Sequence, residues 1–183
     1  MIYDANVLYP APLRDLLIRL AQTTLVQARW SDRILDECFS SLSRNRPDLE
    51  PCRLDRTRAL MVAAVRDCLV TGHDQLVGRL SLPDPDDRHV LAAAICAGAQ
   101  AIVTFNLDDF PRAIVSRYEI EAIHPDRFVL DLIDADEASV RRVLAEQAAA
   151  LGRRNPADIC VRLARSGLPR TARILGEPYG CPD

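Results

Sequence analysis

Short apolar segments alternate with amphipathic helical segments through residues 1–124 of this 183-residue chain. Parallel strands need long, usually helical, crossovers, so this alternation predicts an α/β fold with a short, mostly parallel sheet. Ligands bind beyond the carboxyl ends of such strands, which draws attention to Asp4 and to residues 106–109. The strands are predicted at 1–4, 68–71, 101–104 and 119–123, and the helices at about 10–23, 31–42, 53–66 and 84–97.

The sequence pattern changes after His124. Helical periodicity is predicted over residues 126–133, 136–151 and 156–165, and Ser166-Gly167 closes the last of these segments. A segment of roughly sixty residues buries too little surface to be stable alone. We therefore predict a main domain of residues 1–124 and a C-terminal helical extension, residues 125–183, packed on it.

All 23 basic residues are arginine, and the chain contains no lysine. This composition excludes Schiff-base catalysis, a lysine-based phosphate loop and a Ser–Lys nucleophile, and it disfavours a haloacid-dehalogenase-type phosphatase. The net charge of −3 gives no general attraction to nucleic acid. Acids clustered in a metal site would inflate the negative count, however, so nucleic acid is not excluded.

The six cysteines, at positions 38, 52, 68, 96, 160 and 181, follow no Cys-x-x-Cys or zinc-binding spacing. Asp4 interrupts the N-terminus at once, and no apolar run approaches the roughly 18 residues of a membrane span. We therefore expect a cytoplasmic protein with reduced thiols and no membrane partner. Cys38, Cys68 and Cys96 lie in apolar stretches and are predicted to be core residues.

Four acids stand out by their placement. Two follow predicted strands, one begins a helix and one lies within a helix; they are Asp109, Asp4, Asp87 and Glu37. Carboxylates brought together repel one another, so such a cluster needs a cation. Oxygen ligands without His or Cys favour Mg²⁺ or Mn²⁺ over Zn²⁺. A metal held this way keeps bound water, which suits phosphodiester hydrolysis.

Four segments carrying these acids resemble the PIN-domain ribonucleases, and among them the VapC-type toxins of bacterial toxin–antitoxin pairs. The segments are residues 2–8, 31–37, 86–94 and 102–111, and residues 125–169 resemble the C-terminal extension of a subset of VapC-like proteins. The resemblance implies a three-layer α/β/α fold with a PIN-like nuclease domain at residues 1–124. It also implies cleavage of single-stranded RNA around one or two Mg²⁺ or Mn²⁺ ions, leaving 5′-phosphate and 3′-hydroxyl ends.

Carried over by position, Asp4, Glu37 and Asp87 match the first three acids of the family. Asp109 is preferred to Asp108 as the fourth, because it directly precedes Phe110 as in the family pattern. These four acids are the predicted catalytic and metal-binding residues. The predicted supporting residues are Asn6, which would order Asp4 or a water, Asn106, Asp84 and Arg88.

Each candidate also has a purely structural interpretation. Asp4 could cap a turn, and Glu37 could be a solvated helix residue. Asp84 or Asp86 could cap the helix that follows. His89, beside Arg88, is expected to be solvated rather than part of the site.

The resulting hypothesis is a metal-dependent endoribonuclease that acts as a toxin and binds an antitoxin protein. Two alternatives remain: a catalytically silent PIN-like module that binds RNA or protein, and a non-toxin PIN nuclease in RNA processing. Homodimerisation is common in the family, although no apolar stripe identifies a dimer surface. A basic stretch could line an RNA groove or receive an acidic partner segment; it comprises Arg44, Arg46, Arg53, Arg56 and Arg58.

Overall fold

A computed structural model describes residues 1–152 and 155–177 of the chain. These residues form two compact units. The first unit comprises residues 1–9 and 27–124, and the second comprises residues 10–26 together with the chain from residue 125 onward. Residues 10–26 thus belong with the C-terminal helices, although they lie before the sequence boundary predicted after residue 124.

The first unit contains a parallel sheet of three short strands in the order β1 (Ile2–Tyr3), β2 (Ala101–Val103) and β3 (Glu121–Ile123). In the register of the sheet, Tyr3 pairs with Val103, and Val103 pairs with Ile123. β1 and β2 are buried throughout, as expected of parallel strands covered on both faces. The predicted α/β fold with a short parallel sheet is therefore confirmed.

The prediction of a strand at residues 68–71 was wrong. The segment makes one isolated bridge, in which Trp30 pairs with Leu69. Asp67 and Gly72 both have positive φ, at 53° and 77°, and they confine the extended backbone to the few residues between them. The extended segment is too short to form a ladder of hydrogen bonds with a neighbouring strand.

Ten helices lie in the described part of the chain. Their bounds are α1 Ala5–Leu8, α2 Ala11–Ala21, α3 Asp32–Asn45, α4 Pro51–Ala64, α5 Asp74–Val77, α6 Arg88–Cys96, α7 Arg112–Val115, α8 Pro125–Ala150, α9 Ala157–Arg165 and α10 Pro169–Gly176. Two 3-10 turns, Leu107–Asp109 and Ser116–Tyr118, flank α7. None of the helices in residues 1–152 and 155–177 is both long and apolar enough to cross a membrane.

The helix α3 begins as its sequence predicts. Ser31 is the N-cap, and its Oγ accepts a hydrogen bond of 3.2 Å from the backbone NH of Ile34. The helix α6 is buried from His89 to Ala94, which leaves it no polar face along most of its length. Cys96, in its last turn, is exposed, so the prediction that it is a core residue was wrong, whereas Cys38 and Cys68 are buried.

In the second unit, the two helices predicted at 126–133 and 136–151 form α8, which is interrupted at Asp136 (φ −158°, ψ 82°). The Asp136 carboxylate accepts a hydrogen bond of 3.0 Å from the backbone NH of Ser139 and so caps the second segment. The helix α10 was not predicted from the sequence pattern. Its first turn is capped by a side chain from α8, which no local pattern reveals. Cys181 lies outside the described residues.

Asp126 supplies that cap. Its carboxyl group is buried and accepts hydrogen bonds from the backbone NH of Arg170 (3.1 Å) and of Thr171 (2.9 Å). At the other end of α10, the Arg141 guanidinium donates to the carbonyls of Ile174 and Leu175, both at 3.1 Å. An acid at the helix start and a cation at its end both match the helix dipole. Two side chains of α8 thus hold α10 at both termini.

Candidate active site

Asp4 and Thr104 directly follow two neighbouring strands of the sheet, β1 and β2. Because Tyr3 and Val103 are in register, the next residue of each strand lies at the same edge. Asp4 is 3% exposed, and its Oδ2 accepts a hydrogen bond of 2.7 Å from the Thr104 hydroxyl. Its Oδ1 accepts one of 2.7 Å from the backbone NH of Ala5, at the start of α1. Asp4 therefore caps a turn, as its structural interpretation proposed, and also faces the sheet edge.

Asn6 links the loops that follow β1 and β2. Its Nδ2 donates to Asp4 Oδ2 at 2.8 Å and to Thr104 Oγ1 at 2.9 Å, while its Oδ1 accepts from the backbone NH of Phe105 at 3.1 Å. Thr104 Oγ1 also accepts a hydrogen bond of 3.0 Å from the backbone NH of Asn106. These bonds fix the orientation of the Asp4 carboxylate.

Thr104 was not among the site residues predicted from the sequence. The signal was present, because Thr104 follows its strand in the same way that Asp4 follows β1. A polar residue at the end of each of two adjacent parallel strands predicts that their side chains meet.

Asp87 precedes α6 and lies among the other acids. Burial, followed by the negative charges of Asp4, Asp109, Asp84 and Glu37, raises the pKa of Asp87 to about 7. The other three predicted acids therefore lie near enough to Asp87 to interact with it electrostatically. Their repulsion is what a bound cation would relieve.

Burial also raises the pKa of Asp4 above its ordinary value, and hydrogen bonds from Thr104 and Ala5 lower it again. The charge of Glu37 raises the pKa further, whereas His89 lowers it. Asp4 thus interacts with an acid of α3 and with a histidine of α6. The site draws on β1, the loop after β2 and both of these helices.

His89 is buried in this cluster, so the expectation that it is solvated was wrong. Its side chain is 3% exposed, and its Nε2 lies 3.4 Å from Oε2 of Glu37, whose own side chain is 50% exposed. The physical reason is that α6 is buried from His89 to Ala94. No periodicity argument based on Arg88 alone could reveal this.

The expected helix cap at Asp84 or Asp86 is not formed on α6. No side chain caps this helix, whereas Asp84 Oδ1 accepts a hydrogen bond of 2.8 Å from the backbone NH of Asp86 and closes the preceding turn. Arg88 begins α6, and its Nε is buried without a hydrogen-bond partner among the described residues. Asn106 and Asp108 are exposed, while Asp109 is partly buried, nearer the other acids.

The donor chemistry of the cluster suits a hard divalent cation, since every acid offers carboxylate oxygens. Within residues 1–152 and 155–177, no three acidic, histidine or cysteine side chains are already grouped closely enough to hold one ion. Mg²⁺ characteristically binds one or two carboxylates directly and keeps several waters. The residues present therefore fit such an ion without a preformed cage.

An open cavity of about 500 Å³ lies nearby in the first unit. Leu107, Phe110 and Ile120 contribute to its wall, but none of the four acids does. Catalytic chemistry requires reactive groups rather than volume, so we assign the candidate site to the acids and not to this cavity.

Most of the basic stretch is neutralised within the chain. Arg46 pairs with Asp48 at 2.7 Å and Arg53 pairs with Glu50 at 3.2 Å. Arg58 bridges Asp32 and Asp36 of α3. These solvent-accessible pairs lower the net positive charge of the stretch without removing its guanidinium groups from solvent. The hypothesis that the stretch forms an RNA groove stays a prediction.

The parallel sheet and the acids at its edge are those of a PIN-type α/β domain, and the chain belongs to the PIN-domain family, whose model matches residues 1–108. Residues 125–177 match the VapC50 C-terminal domain. The predicted resemblance to VapC-type PIN proteins is thereby confirmed over both parts of the chain.

One curated relative is "Putative ribonuclease VapC50" of Mycobacterium tuberculosis, which is 48% identical over 58 residues. The aligned stretch covers 32% of this chain and 34% of that protein. The chain thus matches about a third of the relative's length. No solved structure matches the chain.

Asp87→Asn is expected to stabilise the metal-free protein at high pH. The pKa of Asp87 is about 7 in the folded chain against an ordinary 3.8, so the folded state binds this proton more tightly. The unfolding free energy should therefore fall as the pH rises from about 4 to 7. Above pH 7 the folded state carries the whole cost of the ionised Asp87 carboxylate. The substitution should raise the unfolding free energy at pH 8 by on the order of 1–2 kcal/mol, a figure reduced for solvent screening of this half-buried group.

Urea denaturation in EDTA at pH 5 and pH 8 would measure this difference. Asp48→Asn is the matched control, because Arg46 lowers the pKa of that exposed carboxyl and its loss should bring no gain. A lower stability of Asp87→Asn than of the wild type at pH 8 would contradict the proposed repulsion among the acids.

Proposed function

We propose that the chain is a divalent-metal-dependent endoribonuclease of the VapC type that cleaves single-stranded regions of RNA. The observation that carries the proposal is the proximity of Asp87 to other acids: burial first, and then the charges of Asp4, Asp109, Asp84 and Glu37, raise the pKa of Asp87 to about 7. A cluster of this kind is costly to ionise without a cation. Membership of the PIN-domain family and the name of the relative support the same reaction class.

In this proposal Asp4 and Asp87 are the principal ligands of Mg²⁺ or Mn²⁺, and Glu37 and Asp109 complete the shell directly or through water. Asp109 is preferred to exposed Asp108, because the charge of Asp109 acts on Asp87. The ion, when bound, activates water and neutralises charge on the scissile phosphate. No side-chain nucleophile is required.

The supporting residues act on the ligands and on the substrate. Asn6 and Thr104 hold the Asp4 carboxylate by the hydrogen bonds described above. Arg88, next to Asp87 in sequence, would contact a phosphate of the RNA. Asn106 is exposed beside the site and would hydrogen-bond to water.

The proposal extends to regulation and assembly. A cognate antitoxin would bind the nuclease domain at residues 1–124 and restrain its activity, and the matched C-terminal domain would serve as the VapC-type extension. Homodimerisation remains part of the proposal. The choice of RNA would rest on the shape of single-stranded loops and on stacking of unpaired bases.

A catalytically silent PIN-like module is the competing function. It is favoured by one observation: within the described residues no three metal-ligating side chains are already grouped. Such a module would bind RNA or protein without cleaving it. The two functions differ in whether the chain cleaves RNA when a divalent metal ion is present.

We would incubate the purified chain with total RNA in Mn²⁺ or Mg²⁺ and in EDTA, and map the cleaved ends by sequencing. Discrete cuts with 5′-phosphate and 3′-hydroxyl ends are expected only with metal, because the four carboxylates need the ion to act. Mass spectrometry of the same sample would exclude a bound inhibitory partner. Intact RNA with a folded, metal-loaded and partner-free chain would favour the silent module.

A further inference from the structure

The buried histidine of α6 faces one acid of the candidate site. His89 is 2% exposed, and its Nε2 lies 3.4 Å from Oε2 of Glu37 on α3. A carboxylate can pair with a protonated ring nitrogen, and 3.4 Å is within ion-pairing distance. The imidazole of one helix thus lies in polar contact with the acid of another.

Glu37 differs from Asp4 in how it is held. Asp4 is 3% exposed and accepts hydrogen bonds from Ala5, Asn6 and Thr104. Glu37 has a longer side chain that is 50% exposed, and the contact that the structure gives its carboxylate is with His89. Without this contact, the Glu37 side chain would lose rotamer freedom only when the metal binds, at a cost in affinity.

The other ring nitrogen points to a role beyond packing. Nδ1 of His89 is buried and has no hydrogen-bond partner among the described residues. A buried imidazole with one unpaired nitrogen is less favourable than an apolar side chain of similar volume. The fold itself therefore gains little from a histidine at this position.

We infer that His89 is a positioning residue for Glu37: through the contact at Nε2, the buried imidazole restrains the Glu37 carboxylate near Asp4, where a divalent cation would bind. The inference rests on the proposed metal site and adds a residue to it. Hydrogen-bond partners of metal ligands typically contribute 10- to 100-fold to metal affinity.

The test is Mn²⁺ binding to the RNA-free chain by calorimetry, alongside the thermal unfolding midpoint in EDTA. His89→Leu removes the contact at Nε2 and is expected to weaken Mn²⁺ binding by about 10- to 100-fold without lowering the midpoint. His89→Gln keeps an Nε2 donor and should restore most of the affinity. In a Glu37→Gln background, His89→Leu should have no further effect.

His73→Leu is the matched control, because His73 is also buried (5% exposed) and neither of its nitrogens has a hydrogen-bond partner among the described residues. It should leave Mn²⁺ affinity unchanged. Wild-type affinity in His89→Leu would overturn the positioning role while leaving the proposed function intact. A lowered midpoint with no change in affinity would instead assign His89 to the fold. No Mn²⁺ binding by the wild type would overturn the metal site and this inference together.

Discussion

Asp4→Asn is expected to lower metal-dependent RNA cleavage by roughly 10³-fold while the chain remains folded. A loss of this size corresponds to about 4 kcal/mol of transition-state stabilisation, which is the scale attributed to a bound metal ion. The substitution preserves the size of the side chain and an oxygen that can accept from Ala5 or Thr104. It removes the charge that the proposed metal requires, together with one of the two acceptor oxygens that Ala5, Asn6 and Thr104 use.

Folding and activity should separate in this variant, because burial raises the pKa of Asp4 and makes its charged form costly in the metal-free state. Relief of the buried charge and loss of one hydrogen-bond acceptor oppose each other, so the unfolding midpoint in EDTA should change little. Single-turnover cleavage rates in saturating Mn²⁺ measure the effect on activity.

Asp86→Asn is the matched control for Asp4→Asn. Asp86 is exposed beside Asp87 and is outside the proposed ligand set, so its loss should leave the cleavage rate within a few-fold of the wild type. If Asp4→Asn kept full metal-dependent activity, the assignment of Asp4 as a ligand would fail.

The second large effect concerns stability. Asp126→Ala is expected to destabilise the second unit by about 2–3 kcal/mol, because two buried or partly buried backbone NH groups of α10 lose their acceptor. The same change leaves the first turn of α10 without a negative charge. The helix should separate locally before the rest of the unit unfolds.

Hydrogen exchange of the α10 amides, together with urea denaturation, measures this loss. Asp131→Ala is the control, since Asp131 forms a partly exposed i,i+4 pair with Arg127 at 2.6 Å, a pair type worth about 0.2–0.5 kcal/mol. Asp126→Asn should retain part of the cap through its carbonyl oxygen. Equal protection of α10 in Asp126→Ala and in the wild type would show that packing alone holds this helix.

The sequence was sufficient to predict those elements whose structure is determined by a local pattern. The apolar runs of β1 and β2 and the Ser31 cap of α3 were all predicted before their tertiary context was known. The grouping of Asp4 and Asp109 followed from the same reasoning, because the ends of parallel strands share one edge of the sheet.

The errors occurred where a residue depends on another element. His89 was expected in solvent and is buried between acids of the site, and Thr104 was missed. Cys96 was expected in the core and is exposed. A histidine or cysteine on an apolar helix has the same local pattern whether or not another element covers it.

The sequence alone determined the parallel α/β fold and the helical character of the C-terminal part, because periodicity is a local property. The choice of the four acids came from the resemblance to the PIN-domain ribonucleases and stays a prediction. Only the tertiary structure decided that Asp87 is partly buried among like charges, that His89 is buried in contact with Glu37, and that Asp126 caps the start of α10. Each of these depends on which side chains from separate elements come within a few ångströms. Burial and electrostatic interaction depend on that proximity, and no local pattern in the sequence encodes it.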